Sequence, residues 1–175
     1  MTEAEHTLVL GLGNPLMGDD GLGLRALARL RQEWAVDGAE LVDGGTWGMN
    51  LLPLIEDARR VLLLDAIDVG AAPGTLVELE QDQIPRLFAR KLSPHEVDLR
   101  EVLALAELRG TLPAETVALG LQPDDVSMST ELTPAVAAGM DGLLDAVVRR
   151  LRLAGHACRR VAPPDVRTSV LPADA

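Results

Sequence analysis

Apolar residues follow two patterns along the chain: short continuous runs and longer stretches with helical spacing. The runs at 7–11, 40–43, 60–65, 75–79 and 116–121 predict five buried strands. The stretches at 22–34, 49–58, 97–108 and 134–153 have one apolar face each and predict amphipathic helices. Strands that alternate with helices predict an α/β fold, here a three-layer α/β/α sandwich.

The connection between the third and fourth predicted strands is too short for a parallel crossover. Only nine residues, 66–74, separate these strands, and they include Gly70, Pro73 and Gly74. A parallel crossover needs about a dozen residues or more, usually with a helix. The fourth strand is therefore expected to run antiparallel in a five-stranded mixed sheet. No repeat or linker divides the chain, so we expect one domain over 1–155 and a loosely ordered C-terminal tail over 156–175.

The composition of the chain argues against nucleic acids and membranes as partners. The 175 residues carry a formal net charge of -11, with 2% aromatic residues and no Tyr. Such a chain repels phosphate backbones and has little to stack on bases, which argues against nucleic acid. No apolar run is long enough to span a membrane. The single cysteine, Cys158, and an acidic N-terminus without secretory features predict a cytoplasmic protein, by default a monomer.

The first candidate for chemistry is the glycine-rich segment 11–21, between the first strand and the first helix. Its spacing fails as a dinucleotide fingerprint, because Leu16 occupies the third glycine position. Asp19 and Asp20 would also repel a phosphate at the start of the helix. One aspartate could simply cap the helix, but a cap accounts for only one of the two.

Asp65 and His95 are the other candidates. Asp65 ends an otherwise apolar strand, where it could face Asp20 across the sheet crevice or merely cap a turn. Asp68, three residues on, is a second carboxylate or a loop residue. His95 follows Ser93 and Pro94 at the start of a predicted helix, a position that surface histidines also occupy. Two carboxylates and an imidazole suit a divalent metal such as nickel or zinc. Spacing leaves open whether the three side chains converge.

Taken together, these segments resemble the hydrogenase maturation endopeptidases. The similar pieces are collinear: Gly11-Leu12-Gly13-Asn14 to Asp19-Asp20-Gly21, Asp43-Gly44-Gly45-Thr46-Trp47-Gly48, Leu64-Asp65-Ala66, Ala72-Pro73-Gly74-Thr75 and Lys91-Leu92-Ser93-Pro94-His95. The resemblance implies a sandwich of the phosphorylase/hydrolase-like kind, with the fourth of five strands antiparallel. It also implies that Asp20, Asp65 and His95 are the catalytic and metal-binding residues. Some members carry Glu at the position of Asp20.

The activity implied is that of an aspartyl-type endopeptidase that removes a C-terminal extension from the large-subunit precursor of a nickel-iron hydrogenase after nickel insertion. The nickel belongs to the substrate, so the isolated protein is expected to hold none. Asp43, Gly44, Gly45 and Thr46 resemble the family's substrate-recognition segment, although a tight turn also needs glycine. Either the metal activates the attacking water, or a carboxylate acts as general base.

Three other functions compete with this interpretation. Peptidyl-tRNA hydrolases open with a similar Gly-Leu-Gly-Asn-Pro segment, but they need a basic face and a histidine soon after it. A non-enzymatic nickel-binding accessory protein could use the same three ligands. A germination-type peptidase could share the sandwich, although the segments at 44–46 and 93–95 argue against it.

Overall fold

Five strands form one mixed sheet in the computed structural model, which describes residues 6–84 and 99–161. The sheet strands are β1 (Thr7–Leu12), β3 (Ala39–Gly45), β4 (Arg60–Ala66), β5 (Leu76–Glu80) and β6 (Glu115–Leu121). Their order is β3-β1-β4-β6-β5, and only β5 runs antiparallel to its neighbour. The predicted fourth strand is β5, so both the five-stranded sheet and its antiparallel member are confirmed.

Helices cover both faces of the sheet. They are α1 (Leu22–Glu33), α2 (Leu52–Asp57), α3 (Leu99–Leu108) and α4 (Pro134–Leu153), with 3-10 turns at Gly18–Gly21 and Gly48–Leu51. Alternate strand residues face opposite layers: Val9 packs with α1 and α4, whereas Leu8 and Leu10 pack with α2 and α3. The central strands β1, β4 and β6 are buried on both faces, which explains their continuous apolar sequences, whereas the edge strands β3 and β5 are partly exposed. The α/β/α sandwich is confirmed.

Two glycines bring α1 unusually close to the sheet. A β-carbon on Gly23 would lie 1.9 Å from the carbonyl oxygen of Leu64, and one on Gly11 would lie 2.8 Å from the carbonyl oxygen of Gly23. Neither position has room for a side chain. The amino end of α1 is therefore seated directly over β1 and β4, which fixes the turn that precedes it.

The predicted C-terminal tail begins too early. Residues Cys158–Arg160 form β7, which pairs antiparallel with β2 (Trp34–Val36), so the sequence from 156 is ordered at least through this strand. The same pairing ends α1 at Glu33 rather than at Trp34. The guanidinium groups of Arg152 and Arg160 lie 5.4 Å from the Trp34 ring centroid, a distance typical of cation–π contacts. Residues 162–175 lie outside the described part of the chain.

The longest helix, α4, lies along the sheet and does not resemble a membrane span. Its 20 residues bury one apolar face that includes Met140, Leu144 and Leu151. Asp141, Asp145 and Arg149 lie on the opposite face. Within residues 6–84 and 99–161, no helix is long and apolar enough to cross a bilayer.

Candidate active site

Asp20 and Asp65 both lie next to Gly13, just beyond the carboxyl end of β1, Asp20 through its backbone carbonyl and Asp65 through its carboxylate. A β-carbon on Gly13 would lie 1.8 Å from the carbonyl oxygen of Asp20 and 3.6 Å from Oδ1 of Asp65. Gly13 also has a φ of 108°, which favours glycine. Asp20 arrives from the turn after β1 and Asp65 from the end of the neighbouring strand β4. The two aspartates therefore flank one crevice, where open α/β sheets bind ligands.

The Asp20 carboxylate is held by the loop that it faces. Asp20 is 2% exposed, and its Oδ2 accepts a hydrogen bond of 2.9 Å from the backbone N–H of Asn14. Its own N–H donates to the carbonyl oxygen of Met17. A carboxylate held in this turn before α1 has oxygen chemistry suited to a hard or borderline cation.

Asp65 is half-buried and retains access to the crevice. Its Oδ1 accepts a hydrogen bond of 2.8 Å from the N–H of Ala66. In register it lies opposite Gly120 of β6. The strand-end position predicted for this residue is confirmed, and so is its proximity to the loop that bears Asp20.

Asp19 has a different role from Asp20. It is fully buried, and its carboxylate accepts four hydrogen bonds: from the N–H groups of Asp124, Asp125 and Thr133 and from Oγ1 of Thr133. No side-chain hydrogen bond caps α1 or the turn before it, so the helix-cap interpretation is wrong. Asp19 instead fastens the turn that carries Asp20 to the loop between β6 and α4.

Gln122, which the sequence did not single out, holds the loop after β4. Its Oε1 accepts hydrogen bonds from the N–H groups of Val69 and Ala71, and its Nε2 donates to Oδ1 of Asp68. Asp68 Oδ1 also accepts from the N–H of Gly70. These bonds fix the backbone just beyond Asp65. The only sequence signal is a polar residue directly after an apolar strand, which is too common to be diagnostic.

The segment 43–46 lies beside the same crevice. The N–H of Gly13 donates a 3.1 Å hydrogen bond to the carbonyl oxygen of Gly45, whose φ is 42°. A β-carbon on Gly44 would come within 3.1 Å of the Leu12 side chain. Asp43 and Thr46 remain exposed. The tight-turn interpretation is therefore right, and two polar side chains of this segment are accessible to a partner.

His95 and the rest of the segment 85–98 lie outside the described residues, so the third ligand stays a prediction. Within 6–84 and 99–161, no group of three His, Cys, Asp or Glu side chains could hold a metal. The two described histidines lie near the start of β1: His6 Nε2 is 2.8 Å from Glu40 Oε2, and His156 Nε2 is 2.8 Å from Oγ1 of Thr7. They are at the opposite end of the strand from Asp20.

The chain is similar to one family of known proteins. The hydrogenase maturation protease family model matches residues 24–150. The hydrogenase expression/formation protein HupD of Rhodobacter capsulatus is 39% identical over 154 residues, which cover 86% of this chain and 73% of HupD. The hydrogenase 2 maturation protease of Escherichia coli is 36% identical over 150 residues, covering 85% of this chain and 92% of that protein.

The chain belongs to the hydrogenase maturation protease family. The solved structure of the hydrogenase maturating endopeptidase HybD from E. coli superposes with a TM-score of 0.83 at 34% identity, covering 89% of this chain and 97% of HybD. The protein is accordingly a peptidase, a hydrolase of peptide bonds. This membership rejects the peptidyl-tRNA hydrolase and germination-peptidase alternatives, and it disfavours a purely metal-binding accessory role.

Proposed function

We propose that this maturation protease removes the C-terminal extension of a nickel-iron hydrogenase large-subunit precursor once nickel has been inserted. The position of Asp20 and Asp65 beside the same backbone, that of Gly13 and Asn14, is the observation that carries the proposal. Two carboxylates at one crevice suit a metal delivered by the substrate, since they supply charge and oxygen ligands while leaving room for further ligands. The nickel is part of the substrate, and the isolated protease is expected to carry none.

In this proposal His95 completes the set that binds the precursor's nickel. Asp20, Asp65 and His95 would dock the metal centre and thereby fix the nearby peptide bond relative to the crevice. Fixing the reacting groups in this way removes much of the entropic barrier to the attack of water. Asp43, Gly44, Gly45 and Thr46 would bind the precursor chain beside the metal, as their position next to Gly13 favours.

The hydrolytic step needs an attacking water, a base to take its proton and an acid for the departing amine. Asp65 is the better candidate for the base, because it is half-buried and therefore more accessible to water than the buried Asp20. We assign Asp20 mainly to binding, since the N–H of Asn14 already directs its Oδ2. A base in this position would accept the proton from water and return it to the amine, as general acid–base catalysis requires.

Mass spectrometry of the precursor tests the function directly. Purified precursor, with and without inserted nickel, is incubated with the protease and its intact mass is followed. Loss of a short C-terminal peptide from the nickel-loaded sample alone is the expected result. Cleavage of both samples would reject nickel-dependent recognition, and cleavage of neither would reject the proposed substrate. Two further proposals have separate tests: sedimentation of the purified protease tests the monomeric state, and fractionation of cells tests the cytoplasmic location.

A further inference from the structure

The four loops at the carboxyl edge of the sheet carry acidic residues and no basic ones. They comprise residues 13–21, 43–51, 66–75 and 122–133, and none contains Lys, Arg or His, although the chain has 16 Lys and Arg. Their acidic residues are Asp19, Asp20, Asp43, Asp68, Asp124, Asp125 and Glu131. Asp43, Asp124, Asp125 and Glu131 are exposed, so these four charges are accessible to a partner that approaches this edge of the sheet.

The same loops expose large apolar side chains. Leu16 is 59% exposed, Trp47 54%, Met49 41% and Met128 87%. Trp47 is one of only two tryptophans in a chain with 2% aromatic residues. Exposed apolar side chains beside a polar rim mark surfaces that bind other proteins, and Trp and Met are enriched at the centres of such interfaces.

Backbone hydrogen bonds tie these loops together around the crevice. The N–H of Ser129 donates to the carbonyl oxygen of Leu16 at 3.0 Å, which places Met128 next to the loop after β1. The bond from Gly13 to Gly45 links that loop to the one bearing Trp47. The loops that carry these apolar side chains are therefore adjacent to one another, on the side of the sheet where Asp20 and Asp65 lie.

We propose that this surface, the carboxyl-edge rim (Leu16, Trp47, Met49, Met128, Asp43, Asp124, Asp125 and Glu131), docks a precursor segment that carries apolar side chains flanked by Lys or Arg. The inference rests on the proposed function, because it names the chemistry of the segment that the protease holds. Charge complementarity favours this occupant. An acidic segment would be repelled by the four exposed carboxylates, since these four loops contain no Lys, Arg or His to offset them. Lys and Arg side chains of a precursor could instead form ion pairs with the carboxylates.

Two properties follow from this composition of the rim. Exposed charges steer encounter and are screened by salt, so salt should weaken precursor binding through the association rate. Apolar contacts are much less sensitive to salt, so loss of the Trp47 and Met128 side chains should weaken binding at every ionic strength. The two contributions can therefore be separated by one salt titration.

The test measures precursor binding and processing by two double variants and two single-substitution controls. Trp47→Ser with Met128→Ser removes apolar contacts, and Asp124→Asn with Glu131→Gln removes charges whose side chains lack structural hydrogen bonds to the described residues. The matched controls are Leu108→Ser, an exposed leucine on α3, and Asp145→Asn, an exposed aspartate on α4. Circular dichroism verifies that each variant is folded.

We expect the apolar double variant to raise Kd and KM about tenfold or more with kcat nearly unchanged, as truncation of an interface tryptophan commonly does. The charge variant should raise them about two- to fivefold at low salt, and the difference should vanish at high salt. Equal binding by rim variants and controls would overturn the inference. If wild-type protein binds precursor without cleaving it, the proposed function fails, while the binding measurements still decide the docking surface.

Discussion

Asp19 and Thr133 are joined by two hydrogen bonds across 114 positions of sequence. The backbone N–H of Thr133 donates to Oδ1 of Asp19, and its hydroxyl donates to Oδ2, each at 2.8 Å. Thr133 directly precedes α4, so these bonds connect the start of that helix to the turn that presents Asp20. The geometry of the candidate active site thus depends on a carboxylate that does not itself face the crevice.

Asp19→Ala should destabilise the fold strongly. Four donors would lose their acceptor in a buried site, and each unsatisfied buried group costs about 1–3 kcal/mol, so we expect a loss of roughly 3–5 kcal/mol after partial relaxation. Thr133→Val removes a single donor and should cost about 1 kcal/mol. Urea unfolding measures both values. Thr130→Val, an exposed position of the same loop, is the control and should change stability little; equal effects at 130 and 133 would contradict this account.

Gly13→Ala should disrupt the site through a steric clash. The added β-carbon would lie 1.8 Å from the carbonyl oxygen of Asp20, and the positive φ would add strain. Gly70→Ala is a matched control, since Gly70 has a φ of 74° but no atom within 4 Å of its β-carbon position. The control should lose about 1–2 kcal/mol from strain alone. Gly13→Ala should lose more stability and nearly all processing activity. Comparable thermal unfolding midpoints in the two variants would show that the clash is relieved.

Ser127 should control the ionisation of Asp125. Hydrogen bonds from the backbone N–H and the hydroxyl of Ser127 lower the pKa of the exposed Asp125 carboxyl below its ordinary value. A depressed carboxyl pKa stabilises the folded state above the unfolded pKa, and that contribution disappears as pH falls through the folded value. Ser127→Ala should therefore raise the pKa of Asp125, because one of the two donors is lost.

NMR titration of the Asp125 side chain measures this change. In the variant the titration should shift toward higher pH, and the stability difference from wild type should shrink in acid. An unchanged Asp125 titration would mean that the Ser127 hydroxyl does not hold the carboxylate in solution.

The main sheet could be predicted because its determinants are local. The central strands β1, β4 and β6 are apolar runs buried on both faces, and the nine-residue connection before β5 excludes a parallel crossover. The pairing of β2 with β7 could not be predicted, since three-residue strands have too little pattern and their partners are more than 100 residues apart. In the sequence, Trp34 fits the helical spacing of the apolar residues of α1, so the predicted helix includes it although it belongs to β2.

The candidate active site was predictable only in part, because many of its contacts join residues that are far apart in the sequence. Asp20 and Asp65 could be assigned to one crevice on the condition that the first and third predicted strands are neighbours, as β1 and β4 are. Sequence could not distinguish Asp19 from Asp20 by their contacts, because the donors to Asp19 come from residues 124, 125 and 133. The polar clamp of Gln122 on the β4–β5 connection likewise depends on tertiary contacts. His95 stays a prediction, since it lies outside the described residues.

Processing of nickel-loaded precursor by Asp20 variants tests the central claim most directly. Asp20→Asn keeps the size of the side chain and an acceptor for the N–H of Asn14, but it removes the negative charge. Asp20→Glu keeps the charge on a longer side chain, and Asp145→Asn on α4 is the control for loss of one carboxylate.

The initial rate of extension loss is measured by intact mass, with thermal unfolding confirming that each variant is folded. The account predicts a rate at least about 100-fold lower for Asp20→Asn, substantial activity for Asp20→Glu and an unchanged rate for Asp145→Asn. Processing by folded Asp20→Asn at the wild-type rate would contradict it.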